Sequence, residues 1–213
     1  MAGQSIRFPS GTLQLEGALH LPLGRKRSPA VVVCHPHPLY GGDMSNNVVM
    51  AVCEAIVNRG IAVLRFNFRG VGASDGRYGN GVGEQKDVRA AVSFLASIEN
   101  MEEGRLGVVG YSFGAYVGLA AGCADDRVRA VCAISLPVLM SDSSSIRDCA
   151  KPKLFISGSN DDFTSPAMIG SFVSLLSEPK RLIIAKADHF WLGVEKWAAD
   201  PAAEFFAESL LSK

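Results

Sequence analysis

Uninterrupted apolar runs, each followed by a longer stretch of helical period, constrain this chain more than any other feature. AVVVC (30–34) and IAVLRFNF (61–68) carry almost no polar alternation. That is the mark of strands buried on both faces of a parallel sheet. Between them, SNNVVMAVCEAIVNRG (45–60) repeats its apolar positions with helical spacing, with Ser45 or Asn46 as N-cap and Gly60 as stop. GEQKDVRAAVSFLASI (83–98) predicts a second amphipathic helix, its acidic residues gathered where the helix dipole favours them. The alternation continues with strands at 105–110, 127–135, 153–158 and 181–185, and with helices after Ser112, at about 165–177 and at about 197–211. Only TLQLEGALHL (12–21) shows period-two spacing, through Leu13, Leu15, Leu19 and Leu21, as in a half-buried antiparallel strand. The expected fold class is α/β: a mostly parallel, doubly wound sheet of about eight strands with helices on both faces. No repeat or linker interrupts the pattern, so one domain over 1–213 is expected.

Composition narrows the function classes. The formal net charge is zero and no Lys/Arg-rich run occurs, which removes the electrostatic footprint of a nucleic-acid or anionic-membrane binder. No stretch has the length of a membrane span, and the N-terminal residues lack a signal-peptide core, so a cytoplasmic protein is expected. The five cysteines are odd in number and never spaced as CxxC, as in a protein that keeps reduced thiols.

Within this frame, VVGYSFGAYVG places Ser112 between Gly110 and Gly114, at the junction of a predicted strand and a predicted helix. Ligands of open parallel sheets bind outside the carboxyl ends of the strands. A tight strand-to-helix turn there exposes the serine hydroxyl, and the helix that follows presents the Phe113 N–H to a developing oxyanion. A serine nucleophile needs a base and an orienting acid. Of four histidines, His20 lies in an early strand and His35 and His37 flank Pro36; His189, in the loop after the last strand, is the base by elimination and placement. The turn SGSNDDF offers Asp161 and Asp162 after another strand, and Asp161 is favoured as the acid over its neighbour and over Asp188. The order Ser112, Asp161, His189 is one of the known triad orders.

With these segments, together with VVVCHPHPLYGGDMSNN, RFNFRGVGASDG and ADHFWLG, nearly the whole chain resembles the α/β-hydrolase superfamily. It is similar in particular to small cap-less bacterial serine hydrolases of the dienelactone-hydrolase-like, esterase-like kind. Dienelactone hydrolase itself uses a cysteine nucleophile where this chain has Ser112, so that activity does not carry over. The resemblance implies Ser112 as nucleophile, His189 as base and then acid, Asp161 as its orienter and the Phe113 amide as one oxyanion donor. The second donor falls in CHPHPLYGG (34–42), where Pro36 and Pro38 have no N–H; His37 is the expected donor, with Leu39 or Tyr40 if the loop curls differently.

Other loop residues carry weaker signals. Tyr40, Phe190 and Trp191 are expected to bind substrate, with Phe113 and Phe163 on the same edge. His35 and His37 have the spacing of paired ligands, yet no third ligand stands at a telling distance, so no metal and no cofactor are expected. Arg69 follows a strand at the same edge, where it could bind an acidic substrate; the resemblance implies instead a loop-holding role, which is favoured. The segment SLPVLMSDSSSIRDCAKP, between two strands, is too short for a cap domain, which predicts an open site suited to short-chain esters, thioesters or an acyl group on a larger carrier. The expected function is a serine carboxylesterase or thioesterase working through an acyl-enzyme on a small-molecule substrate, without nucleic acid or membrane. A homodimer through an exposed edge strand is compatible with the sequence. The rival readings are a peptidase and a non-catalytic binding module on the same scaffold.

Overall fold

The structure, a computed structural model, describes residues 3–24 and 26–211. Its eight-stranded sheet has the order β1-β2-β4-β3-β5-β6-β7-β8. The strands are β1 (Gln4–Ser10), β2 (Leu13–His20), β3 (Ser28–Cys34), β4 (Ala62–Phe66), β5 (Met101–Tyr111), β6 (Val128–Ile134), β7 (Lys153–Gly158) and β8 (Lys180–Ala185). β1 and β2 run antiparallel at one edge, β2 pairs antiparallel with β4, and every later pairing is parallel. The expected α/β architecture is therefore present.

Helices cover both faces: α1 (Asn47–Val57), α2 (Val82–Ser97), α3 (Phe113–Cys123), α4 (Pro166–Ser174) and α5 (Lys196–Leu211). One core lies between the sheet and α2, α3 and α4; a second packs α1 and α5 on the opposite face. All seven residues of β3 are buried, as its unbroken apolar run requires. Asn46, not Ser45, caps α1, its side chain accepting from the Val48 N–H.

Two departures have simple causes. β1 is absent from the sequence reading because QSIRFPS contains a proline, which strands tolerate at a sheet edge; β1 is such an edge, and only Phe8 and Ser10 are buried. The acidic residues of α2 are not a solvated first turn. Glu84 is fully buried and accepts from the N–H groups of Gly79 and Gly81, while buried Asp87 takes Arg69 in a two-pronged ion pair at 2.7 and 2.9 Å. Arg69 thus pins the loop after β4 to α2, the loop-holding role that the resemblance implies.

Between β6 and β7 the chain forms only two 3₁₀ turns, Val138–Met140 and Ser143–Ser145. No cap domain is inserted there, and the carboxyl edge of the sheet stays open.

Candidate active site

Ser112 occupies the turn between β5 and α3 with φ 54° and ψ −120°. That backbone region is costly for any residue with a Cβ and persists only where the surroundings impose it. Here they do: the Ser112 N–H donates to Ile134 O of β6, and its carbonyl accepts from Ala115 and Tyr116 in the first turn of α3. The flanking glycines follow from the same crowding. A Cβ at Gly110 would collide with the Gly114 carbonyl, and one at Gly114 with the carbonyls of Cys34 and His35.

His189, in the loop after β8, reaches this serine. The Ser112 Oγ–H donates to His189 Nε2 at 3.0 Å, and His189 Nδ1–H donates to Asp161 Oδ2 at 2.8 Å. The carboxylate acceptor places the ring proton on Nδ1 and leaves Nε2 as the acceptor facing the hydroxyl. Asp161 is buried, and its second oxygen accepts the N–H groups of Phe163 and Thr164 at 2.9 and 3.1 Å. Burial by itself would raise this carboxyl; the hydrogen bond and charge of His189, with the two amides, hold it below the ordinary carboxylate range. Asp162 is exposed and Asp188 accepts from the Phe190 and Trp191 N–H groups. Neither competes with Asp161 for the imidazole.

Ser112 and His189 open into a cavity of about 410 Å³, with Asp161 buried behind the imidazole. His37, Tyr40, Gly41, Gly42, Phe113, Pro137, Met140, Phe163 and Phe190 line it, and among the described residues no Asp, Glu, Lys or Arg does. Phe113 is the first residue of α3, so its N–H has no partner within the helix. Of the other loop candidates, Leu39 donates to His37 Nδ1 and Tyr40 to the His37 carbonyl, so both N–H groups are spent inside the turn. The His37 ring is fixed in turn by Tyr78, 3.2 Å from Nε2, and rests against Tyr40 and Phe113.

One expected substrate contact is not met. Trp191 is completely buried and lies outside the cavity, in the core shared with α1 and α5. Its φ of 58° turns the side chain inward, where the indole N–H donates to Ser135 Oγ at 2.9 Å. An indole ring sheds more apolar surface in the core than at a rim, provided its N–H finds an acceptor. Tyr111 is a site residue that the sequence reading passed over. Its hydroxyl donates to the His189 carbonyl at 3.0 Å, and burial, with the charges of Asp161 and Asp188, pushes its pKa well up. The signal was its position directly before the turn serine.

His35 belongs to the scaffold. Its Nε2 accepts the Phe68 N–H at 3.0 Å and its Nδ1–H donates to Pro36 O at 2.7 Å. Among the described residues, no three His, Cys, Asp or Glu side chains converge as metal ligands.

The model of the X-Pro dipeptidyl-peptidase (S15) family, of α/β-hydrolase type, matches residues 11–148. The chain belongs to this α/β-hydrolase family. A serine hydrolase homologue from Coxiella burnetii superposes with a TM-score of 0.87 at 32% identity, covering 96% of this chain and 97% of that one. A lid-less α/β serine hydrolase from Xanthomonas campestris gives 0.87 at 28% identity, over 100% and 97% of the two chains. An uncharacterized protein of Rickettsia prowazekii is 36% identical over 77% of this α/β-hydrolase and 72% of its own length. The matches to mycobacterial relatives span only 60% of those proteins. No helix among the described residues is long and apolar enough to cross a membrane.

Proposed function

We propose that this α/β-hydrolase cleaves a carboxylic ester or thioester through an acyl-enzyme. The observation that carries the reading is the continuous line Asp161–His189–Ser112, with both ring nitrogens of His189 engaged at 2.8 and 3.0 Å. In acylation, Ser112 Oγ bonds to the acyl carbon while its proton passes to His189 Nε2. The carbon–oxygen or carbon–sulfur bond of the substrate breaks as Nε2 returns that proton to the leaving group. Water then repeats the sequence on the acyl-enzyme, giving the acid and restoring Ser112. Asp161 stays ionised throughout and stabilises the imidazolium. In this reading the N–H groups of Phe113 and His37, two residues that line the cavity, serve as oxyanion donors, each such donor being worth about 3 kcal/mol of transition-state stabilisation. Tyr40 and Phe190 supply apolar contact to the substrate. No cofactor takes part in these steps.

The family description raises exopeptidase activity as the second reading. A dipeptidyl-peptidase substrate carries a free ammonium group two residues from the scissile bond, and such a cation calls for an acidic side chain in the cavity. None of the described residues lining the cavity is acidic, which favours a neutral acyl group. The test is labelling of wild type, Ser112→Ala and His189→Ala with a fluorophosphonate probe, then turnover of p-nitrophenyl butanoate against an Xaa-Pro p-nitroanilide. The expected result is labelling of wild type alone and turnover of the ester. Absence of labelling in folded wild type overturns the proposal, and preference for the anilide replaces the ester with a peptide.

A further inference from the structure

Of the eleven phenylalanines, nine are buried or half-buried; the two that face solvent, Phe163 and Phe190, both pack beside His189. Phe163 is 58% exposed and Phe190 59%, a poor use of apolar surface in a chain with ample core to bury it. Their ring centroids lie 4.5 and 5.5 Å from the His189 ring and 6.3 Å from each other, the two phenyl planes at 85°. Both are carried on hydrogen-bonded backbone. The Phe163 N–H is held by Asp161 Oδ1 and the Phe190 N–H by Asp188 Oδ1, both at 2.9 Å. The first of these bonds goes to the carboxylate that orients His189, so one group sets the imidazole and the backbone that carries the phenyl beside it.

The direction of proton transfer says what these rings face. His189 Nε2 must reach the leaving oxygen or sulfur, so the leaving group lies on the His189 side of Ser112. The oxyanion lies on the opposite side, towards Phe113 and His37. We propose that Phe163 and Phe190 form a leaving-group subsite that selects esters or thioesters whose alcohol or thiol part carries a flat, apolar ring. This rests on the hydrolase reading above. A ring laid against this edge-to-face phenyl pair gains apolar burial plus aromatic contact, which a short alkyl group cannot match. The uncharged lining leaves no counter-charge for an ionic alcohol.

The test compares benzyl butanoate with ethyl butanoate, whose acyl groups are identical and whose alcohols are similarly weak acids, so that the ratio of kcat/KM reads recognition and not chemical lability. Wild type is expected to prefer the benzyl ester by about tenfold or more. Phe163→Ala and Phe190→Ala should each bring the ratio towards one, whereas Phe163→Tyr, which keeps the ring, should hold it. Fluorophosphonate labelling, which needs no alcohol ring, is run on every variant to show a folded, competent serine. Labelled wild type with a ratio near one overturns the subsite. So does a ratio that survives in both alanine variants, or alanine variants that slow both esters equally, since rings that merely shield His189 from water would act that way. Unlabelled wild type overturns the hydrolase reading itself, and the two failures are thereby told apart.

Discussion

His35 and His189 are the same residue in equivalent places, each just beyond the carboxyl end of a parallel strand, each buried. Their partners separate them. His35 spends both nitrogens on the main chain, at Phe68 and Pro36, and ties the loop after β3 to the loop after β4. His189 gives one nitrogen to a carboxylate and the other to a hydroxyl on a strained turn. Burial pushes His35 down to about 4, against weaker opposition from the Pro36 carbonyl and Asp43, so it is neutral and inert at neutral pH. What a buried histidine can do is therefore decided by its partners. Backbone groups at both nitrogens make His35 a strut, whereas a carboxylate that orients the ring and a hydroxyl with a proton to give fit His189 for general-base work.

The largest expected effect breaks the active half of this comparison. Ser112→Ala should lower ester hydrolysis by roughly 10⁵-fold or more and abolish probe labelling, with the thermal midpoint near that of wild type. Undiminished hydrolysis in that variant would remove Ser112 from the chemistry. Asp161→Asn comes next, with kcat reduced by about 10⁴-fold because the amide no longer holds the proton on Nδ1. A loss below tenfold in steady-state assays would mean that His189 does not depend on its carboxylate.

The scaffold half is tested by pH. Unfolded His35 takes up a proton near its ordinary 6.5, but folded His35 does so only near 4. Stability is then fully present above about 6.5 and is lost as pH falls through about 4. At 1.36 kcal/mol per pKa unit the loss is about 3 kcal/mol. His35→Gln retains an acceptor for the Phe68 N–H and removes the titration. Its urea-unfolding free energy should be flatter than that of wild type between these pH values. Parallel curves for the two proteins would assign the acid sensitivity to other groups. The smallest effect sharpens the contrast at one atom: Tyr111→Phe removes the hydroxyl that holds the His189 carbonyl and should cost about 1 kcal/mol. Read as kcat/KM, that is up to about a fivefold loss, and a variant equal to wild type in both kcat/KM and thermal midpoint would show the bond to be redundant.

Legibility differed along the chain for physical reasons. β7 was readable to the residue because KLFISG is a buried apolar run bounded by Pro152 and by a polar turn. β1 was not, since an edge strand needs little apolar surface and accepts Pro9. The turn around Ser112 announced itself because few sequences survive such crowding, and the two glycines are the residue types that fit. Trp191 misled because HFW reads as one aromatic patch, whereas the positive φ at Trp191 sends its ring into the core and leaves Phe190 outside.

The sequence by itself determined the order of strands and helices from β2 onward, the turn that presents Ser112, and the residue types able to serve it. These follow from local rules of periodicity, capping and turn sterics, which act over a few residues. Only the tertiary structure decided that Asp161, not Asp162, meets His189 across 28 positions, that His35 is a strut, and that Phe163 and Phe190 flank the imidazole. Those outcomes depend on which strand ends lie side by side in the sheet, and that adjacency is set by the packing of the whole chain.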